Sequence, residues 1–410
     1  MQSELKTVTL KLLAYCREED WAGHDPYDAL NSRIFTKLPV LNSRVPRLAL
    51  TQLLKRSPID IRRLAQIPKT QNPKAMALFL AAFLRLTSDD LPDRDQLVDF
   101  MIGRLAEMRS KGIDYDCWGY SFPWQTRNLL VPAGAPNVVC TTFVATSLLD
   151  AYAENGDARY LKMAVSAAEY MFNHLYWSEG EAAGFSYPMP SLKSETHNAN
   201  LLAAAFLCRV ARLTGERKFV EPALRAVRYA VSKQRDDGSW YYAETPKARW
   251  IDNFHTGYNL SALRSVSREL ETDEFETSLR RGFAFYRANF FREDAAPKYF
   301  HDRAYPLDIH SVAQSILTLI EFKDLDSTNI ELANRVFEWA KKHMWDARGY
   351  FYYRVLRLSK VRTSYMRWSQ AWMLLALSTL LRETENTSKP QAMGNRSILS
   401  RSRVEAQAEV

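Results

Sequence analysis

Apolar helical segments recur along this chain at intervals of roughly 55–65 residues, about the length of a helical hairpin with one long loop. Five follow short aromatic loops: Val138–Tyr152, Asn198–Arg212, Thr256–Ser267, Ser311–Phe322 and Ser369–Leu381. A sixth, Lys74–Leu86 (KAMALFLAAFLRL), lies upstream. The segments between them have one apolar stripe. In Asp157–Tyr176 the residues Tyr160, Leu161, Ala164, Ala168, Met171, Phe172 and Leu175 recur at helical spacing. Glu221–Lys233 and Phe275–Phe290 repeat the pattern. Turns such as Asn155-Gly156-Asp157 and Thr214-Gly215-Glu216 stop one helix and start the next.

The return loops share a second register. Gly119-Tyr120-Ser121-Phe122, Gly184-Phe185-Ser186-Tyr187, Gly238-Ser239-Trp240-Tyr241-Tyr242, Lys298-Tyr299-Phe300 and Gly349-Tyr350-Phe351-Tyr352-Tyr353 alternate aromatics as short β-like stretches do. The expected fold is all-α: an (α/α)6 toroid of six helical hairpins with β-like rim loops, inner helices lining the middle and outer helices wrapped around them. An open solenoid is the alternative, but polar capping repeats are missing. The expected boundaries are 1–71, an N-terminal helical and loop extension packed on the toroid; 72–382, the toroid; and 383–410, a disordered polar tail.

The chain is long enough to bury a large core without disulfides. Its longest clean apolar run, Leu201–Cys208, is far short of the about 20 residues a membrane span needs. The N-terminus has no basic region followed by an apolar one, so no secretory signal is expected. Cys16, Cys117, Cys140 and Cys208 are scattered, as reduced thiols of a cytoplasmic protein would be. Lys plus Arg exceed Asp plus Glu by 55 to 47. The excess includes Arg47, Lys55, Arg56, Arg62 and Arg63, a stretch that either is solvated surface or favours an anionic substrate, an acidic lipid surface or nucleic acid. No nucleic-acid motif accompanies it, so no nucleic-acid partner is expected.

The alternation resembles the (α/α)6 toroid of six-hairpin glycosidases and of related sugar lyases and epimerases. More closely, DPYDALNS (25–32), WGYSFPWQTR (118–127), HNANLL (197–202), DDGSWYY (236–242) and WIDNFHTGYNL (250–260) resemble a bacterial family associated with capsular and exopolysaccharide biosynthesis. Some of its members carry the label delta-aminolevulinic acid dehydratase. That activity would need an α/β barrel, and this chain has no series of βα units. Gln234–Trp240 also resembles the Q-x-x-x-G-x-W motif of squalene and hopene cyclases. Their D-x-D-D acid is missing, since Asp114-Tyr115-Asp116-Cys117 departs at its last position.

Three histidines recur at the entrances to apolar helices. His197, His255 and His310 are separated by 58 and 55 residues, which tracks the repeat and places them on one rim. Each either caps its helix or takes part in chemistry. Glu195, Asp252 and Asp308 lie two or three residues before them, to orient an imidazole or to cap the helix. No H-x-H or H-E-x-x-H spacing supports a metal site, and no cofactor is expected. The sharpest expectation is His255 as general acid or base with Asp252 orienting it, and His197 and His310 on the same rim. Trp118, Trp124, Trp240, Trp250, Tyr305 and Trp368 fall on loops or helix starts and would stack on sugar rings, or else plug the core. Tyr258 and Asn259 add hydroxyl and amide groups, and Arg127 and Arg367 would neutralise an acid. Asp25–Ser32 either reaches the ring mouth or only forms a turn.

The expected function is a carbohydrate-active enzyme of hydrolase, lyase or epimerase type, acting on a saccharide or glycoconjugate in polysaccharide metabolism. A noncatalytic glycan-binding or scaffold protein of surface-polysaccharide assembly would share the aromatic cleft. A cyclase or transferase with a lipid-linked substrate would need a deep apolar cavity instead.

Overall fold

The structure, a computed structural model, describes residues 2–37, 43–126 and 129–388. Among them the helices are, in chain order, α1 (Gln2–Glu18), α2 (Arg33–Thr36), α3 (Arg44–Arg56), α4 (Pro73–Phe83), α5 (Arg94–Glu107), α6 (Val138–Asn155) and α7 (Ala158–Tyr170). They continue with α8 (His197–Thr214), α9 (Val220–Ser232), α10 (Asn253–Glu269), α11 (Glu276–Asn289), α12 (Ile309–Glu321), α13 (Asn329–Met344) and α14 (Ala371–Ser388).

The even-numbered helices from α4 onward form an inner ring. Each packs on the next, and α14 returns to α4 to close the circle. Outside it, α5, α7, α9, α11 and α13 each pack on the inner helix that precedes them in the chain. The outer partner of α14 is α1, from the opposite end of the sequence. The fold is an (α/α)6 toroid. Its inner layer is covered on both sides, which explains why those helices read as apolar all round. Every residue of α4 is buried, and α12 is buried from Ile309 through Ile316.

The structure divides the expected extension. Gln2–Glu18 is an outer helix of the ring, with Leu5, Leu12 and Cys16 in the common core. Among the described residues, 19–37 and 43–71 lie between that helix and α4 and contain α2 and α3. At the other end, 383–388 continue α14, and 389–410 of the expected tail lie outside the described residues.

Local chemistry sets where the inner helices begin. Asn72 accepts from the Lys74 amide at 3.1 Å, Asn137 from Cys140 at 2.9 Å, Asp252 from His255 at 3.0 Å and Asp308 from His310 at 2.9 Å. Each such cap stabilises its helix by ~1 kcal/mol. Gly156 and Gly215, at φ 75° and 77°, end α6 and α8 in the left-handed conformation that costs glycine least. The rim carries small antiparallel pairings, the longest being Tyr176–Glu179 with Ala182–Phe185. Leu307–Asp308, Arg354–Val355 and Lys360–Val361 form a three-stranded one.

Two of the expected sugar platforms are core plugs. Trp118 and Trp240 are buried, and their indole N–H groups donate to the Leu105 and Ala230 carbonyls at 2.7 and 2.9 Å. A Cβ at Gly282 would come within 2.7 Å of the Trp240 ring, so α11 needs glycine there to approach it. We expect Trp240→Ala to cost about 3–5 kcal/mol of stability, as truncation of a buried aromatic does. Calorimetric melting measures this, and a loss under ~1 kcal/mol would contradict the core assignment.

Candidate functional site

A cavity of about 560 Å³ opens at the end of the toroid where the inner helices begin. Lys74 of α4, Val139 of α6, Asn198 of α8, His255 of α10 and His310 of α12 reach it from the first turns of their helices. Arg367 and Trp368 reach it from the π-helical turn Met366–Gln370 that leads into α14. Every inner helix, or the turn leading into it, therefore contributes, and the positive ends of the helix dipoles surround the space. Rim loops supply an aromatic wall, including Tyr120, Trp124, Tyr187, Tyr242, Trp250 and Tyr299. The inserted segment supplies the lip: Tyr27 with Gln52, Lys55 and Arg56, the last three on α3.

His255 is held as a directed base. Its Nδ1 lies 2.7 Å from Asp252 Oδ2, and the Trp250 indole donates to the same oxygen at 2.9 Å. The other carboxylate oxygen caps α10. In the neutral form of a ring so held, the proton sits on the nitrogen that faces the carboxylate and the lone pair is on Nε2. The ring is partly exposed and lies against Tyr242 and Phe254, at 4.6 and 4.1 Å between centroids. Tyr242 in turn stacks on Trp250 at 4.6 Å.

His310 is buried, and its Nε2 lies 2.5 Å from the Tyr258 hydroxyl. Burial first, and then the nearby Arg367 cation, holds its imidazole well below the ordinary histidine range. Asp308, two residues before it, orients a different ring. It accepts from the Trp368 indole at 2.9 Å and from the Arg354 guanidinium at 2.9 and 2.6 Å.

Arg367 is clamped by Asp25 through two bonds, at 2.7 and 2.9 Å, with both groups buried. Its guanidinium also lies 4.8 Å from the Tyr120 ring centroid. The DPYDALNS loop thus anchors the wall of the cavity. It is itself braced, since Asp28 accepts from Arg62 at 3.1 Å and from the Asp25 amide at 2.9 Å.

The structure brings together His255, Asp252, His310, Tyr258, Trp124, Trp250, Arg367 and Trp368 from the sequence-based set. It leaves the other described ones elsewhere. His197 is buried behind the wall, its Nε2 2.8 Å from Glu244, a hydrogen bond that holds the Glu244 carboxyl below its ordinary range. Glu195 accepts from the Tyr229 hydroxyl at 2.7 Å instead of meeting that histidine. Asn259 is buried in α10, and Tyr305 packs near Arg292 away from the cavity. Trp118 and Trp240 are in the core, and Arg127 lies outside the described residues. Register along the repeat put three histidines at one height, but the His197 ring meets Glu244 of a neighbouring loop.

Sequence reasoning missed Lys74, Asn198, Tyr187 and Tyr242. Lys74 had one signal, a lone cation at the start of an otherwise apolar helix. Among the described residues, no carboxylate lines the cavity. Asp25, Asp252 and Asp308 all stand behind it, engaged as described. Nor do the described residues include three or more His, Cys, Asp or Glu grouped to hold a metal ion.

No protein-family model and no curated protein matches the sequence. Solved structures do. The GH76 α-mannanase BT2949 of Bacteroides thetaiotaomicron superposes with a TM-score of 0.60 at 12% identity, covering 79% of this chain and 90% of that one. Cellobiose 2-epimerase of Bacillus thermoamylovorans B4167 gives 0.57 at 12% identity, over 78% and 90%. A polysaccharide lyase gives 0.59 at 12% identity, over 96% and 99%. At these identities the likeness establishes the shared toroid.

The state of His310 makes a pH prediction. Its folded value is depressed below the ordinary 6.5, so as pH falls the unfolded chain takes up this proton first. The stability due to neutral His310 is present above that pH and is lost below it. The melting temperature should fall between about pH 7 and pH 5, and His310→Gln should flatten that fall. An unchanged slope in the variant would show that other groups carry the acid sensitivity.

Proposed function

We propose that this chain is a carbohydrate-active enzyme that moves a proton to and from a carbon next to a carbonyl or carboxylate of a saccharide. That is the chemistry of epimerases, isomerases and lyases. The observation that carries the reading is the Asp252–His255 pair, with its free Nε2 at a cavity that no described carboxylate lines. Glycoside hydrolysis commonly needs two carboxyl groups about 5–9.5 Å apart across the scissile bond. Proton abstraction needs a base poised near neutral pH and groups that stabilise the resulting oxyanion.

In this mechanism His255 Nε2 takes the proton, and Asp252 stabilises the imidazolium that results. The Tyr258–His310 pair returns or relays a proton from a neighbouring part of the wall. Trp250, Tyr242, Trp124 and Trp368 present faces for sugar C–H surfaces. The likeness in fold to an epimerase, a mannanase and a polysaccharide lyase supports a saccharide substrate. Lys55, Arg56 and the encircling helix N-termini support an anionic one. The resemblance of 236–242 and 250–260 to proteins of surface-polysaccharide biosynthesis supports a place in polysaccharide metabolism, inside a bacterial cell.

The test is solvent exchange. Reducing sugars and uronate oligosaccharides are incubated with the protein in D2O, and NMR reads deuterium at the carbon next to the carbonyl or carboxylate. His255→Gln should remain folded and lose about 10²–10⁴-fold in exchange rate. Asp252→Asn should also lose rate, because an amide can hold the wrong tautomer. Hydrolytic cleavage without exchange would overturn the reading.

A further inference from the structure

We propose that Lys74 is an amine nucleophile that forms a reversible imine with the open-chain carbonyl of a reducing sugar, activating the adjacent C–H bond for His255. The inference rests on the proton-transfer reading and narrows its substrate to an aldose or ketose.

The placement of the amine carries the argument. Lys74 is the second residue of α4, is 3% exposed, and reaches the cavity. Its Nζ lies 3.9 Å from the centroid of the Phe143 ring, 5.3 Å from that of Trp372 and 5.5 Å from that of Tyr258. A lysine kept only as a structural cation has an anionic partner when buried. Among the described residues no ion pair or hydrogen bond holds this Nζ. The nearby carboxylate of Asp25 is already occupied on both oxygens by Arg367.

The surroundings favour the neutral, nucleophilic amine. Burial first, and then the Arg367 cation, push the Lys74 ammonium well below the ordinary lysine range. Aromatic faces attract an ammonium, but they return only part of the hydration that burial removes. A desolvated lysine beside a second cation is an established way to activate an amine for carbonyl chemistry.

The step balances without an added oxidant or reductant. The Nζ lone pair adds to the carbonyl carbon, and the carbonyl oxygen takes up a proton. Nitrogen loses a proton, water leaves, and the C=N bond forms. The protonated imine draws electrons from the neighbouring carbon, so His255 removes its proton to give an enamine. Reprotonation at that carbon and addition of water restore the amine and release the sugar. Tyr258 is placed to supply the proton for the departing water. Its ring faces Nζ, its hydroxyl is bonded to His310, and its centroid is 6.0 Å from that of His255.

Trapping tests this directly. The wild-type protein is incubated at neutral pH with glycolaldehyde or D-mannose and cyanoborohydride, then mapped by peptide mass spectrometry. Occupancy at Lys74 should exceed the mean of the other lysines by at least about tenfold, since each unit of pKa depression raises the neutral fraction tenfold. Lys74→Met should remove that adduct and abolish exchange, while His255→Gln keeps the adduct and loses exchange. Label spread evenly over the lysines, or sugar exchange without a Lys74 adduct, overturns the imine and leaves the proton-transfer reading intact. A Lys74 adduct on a protein that exchanges no sugar supports the amine and removes that reading instead.

Discussion

The packing of α14 against α4 holds this structure in its form. It turns a linear series of hairpins into a closed ring, and closure is what gives the inner helices a common centre. An open array of the same hairpins would leave two apolar faces in water and would have no cavity mouth shared by six helix ends. The close approach of neighbouring inner helices supports the closure. A Cβ at Gly257 would come within 2.6 Å of Gln314, so α10 meets α12 through a residue without a side chain.

The site follows from how those helices start. At α4, α6, α10 and α12 an Asp or Asn at the cap satisfies a free backbone amide, and residues of the first turn reach the cavity. At α10 one carboxylate performs both tasks, capping with one oxygen and holding the His255 imidazole with the other. At α12 the same arrangement diverges. Asp308 caps the helix but spends its second oxygen on Arg354, so His310 finds Tyr258 instead. Two helices with the same local sequence logic thus present imidazoles in different electrostatic settings. One is paired with an anion, and the other is neutral beside the Arg367 cation.

The toroid was legible because hydrophobic periodicity and turn chemistry are local properties that repeat. The Asp252–His255 pair was legible for a similar reason, since i and i+3 share a helix face. Other features depend on distant chain segments. Nothing within DPYDALNS states that Asp25 meets Arg367, 342 positions away. Trp240 and Trp250 both sit in aromatic loops, and only packing decides that the first reaches into the core while the second faces the cavity. Position 197 matched the repeat, yet its side chain met Glu244 from a neighbouring loop. Lys74 was hidden by its apolar context, which marks a buried helix whatever its one cation does.

The sixth hairpin is assembled from the two ends of the described chain, α14 with α1, and the Tyr15 hydroxyl donates to Ser364 at a separation of 349 residues. This has a consequence for biogenesis. Among the helices of the ring, α1 is made before the others and is the last to find its partner. At ~5–20 residues per second of synthesis, its apolar stripe waits on the order of a minute on the ribosome. Contacts of such high order are slow to form and leave the nascent chain open to aggregation. The ring therefore demands protection of its leading segment during translation. Because α1 packs on α14, a circular permutant that links the end of α14 to the start of α1 and opens elsewhere would bypass the wait.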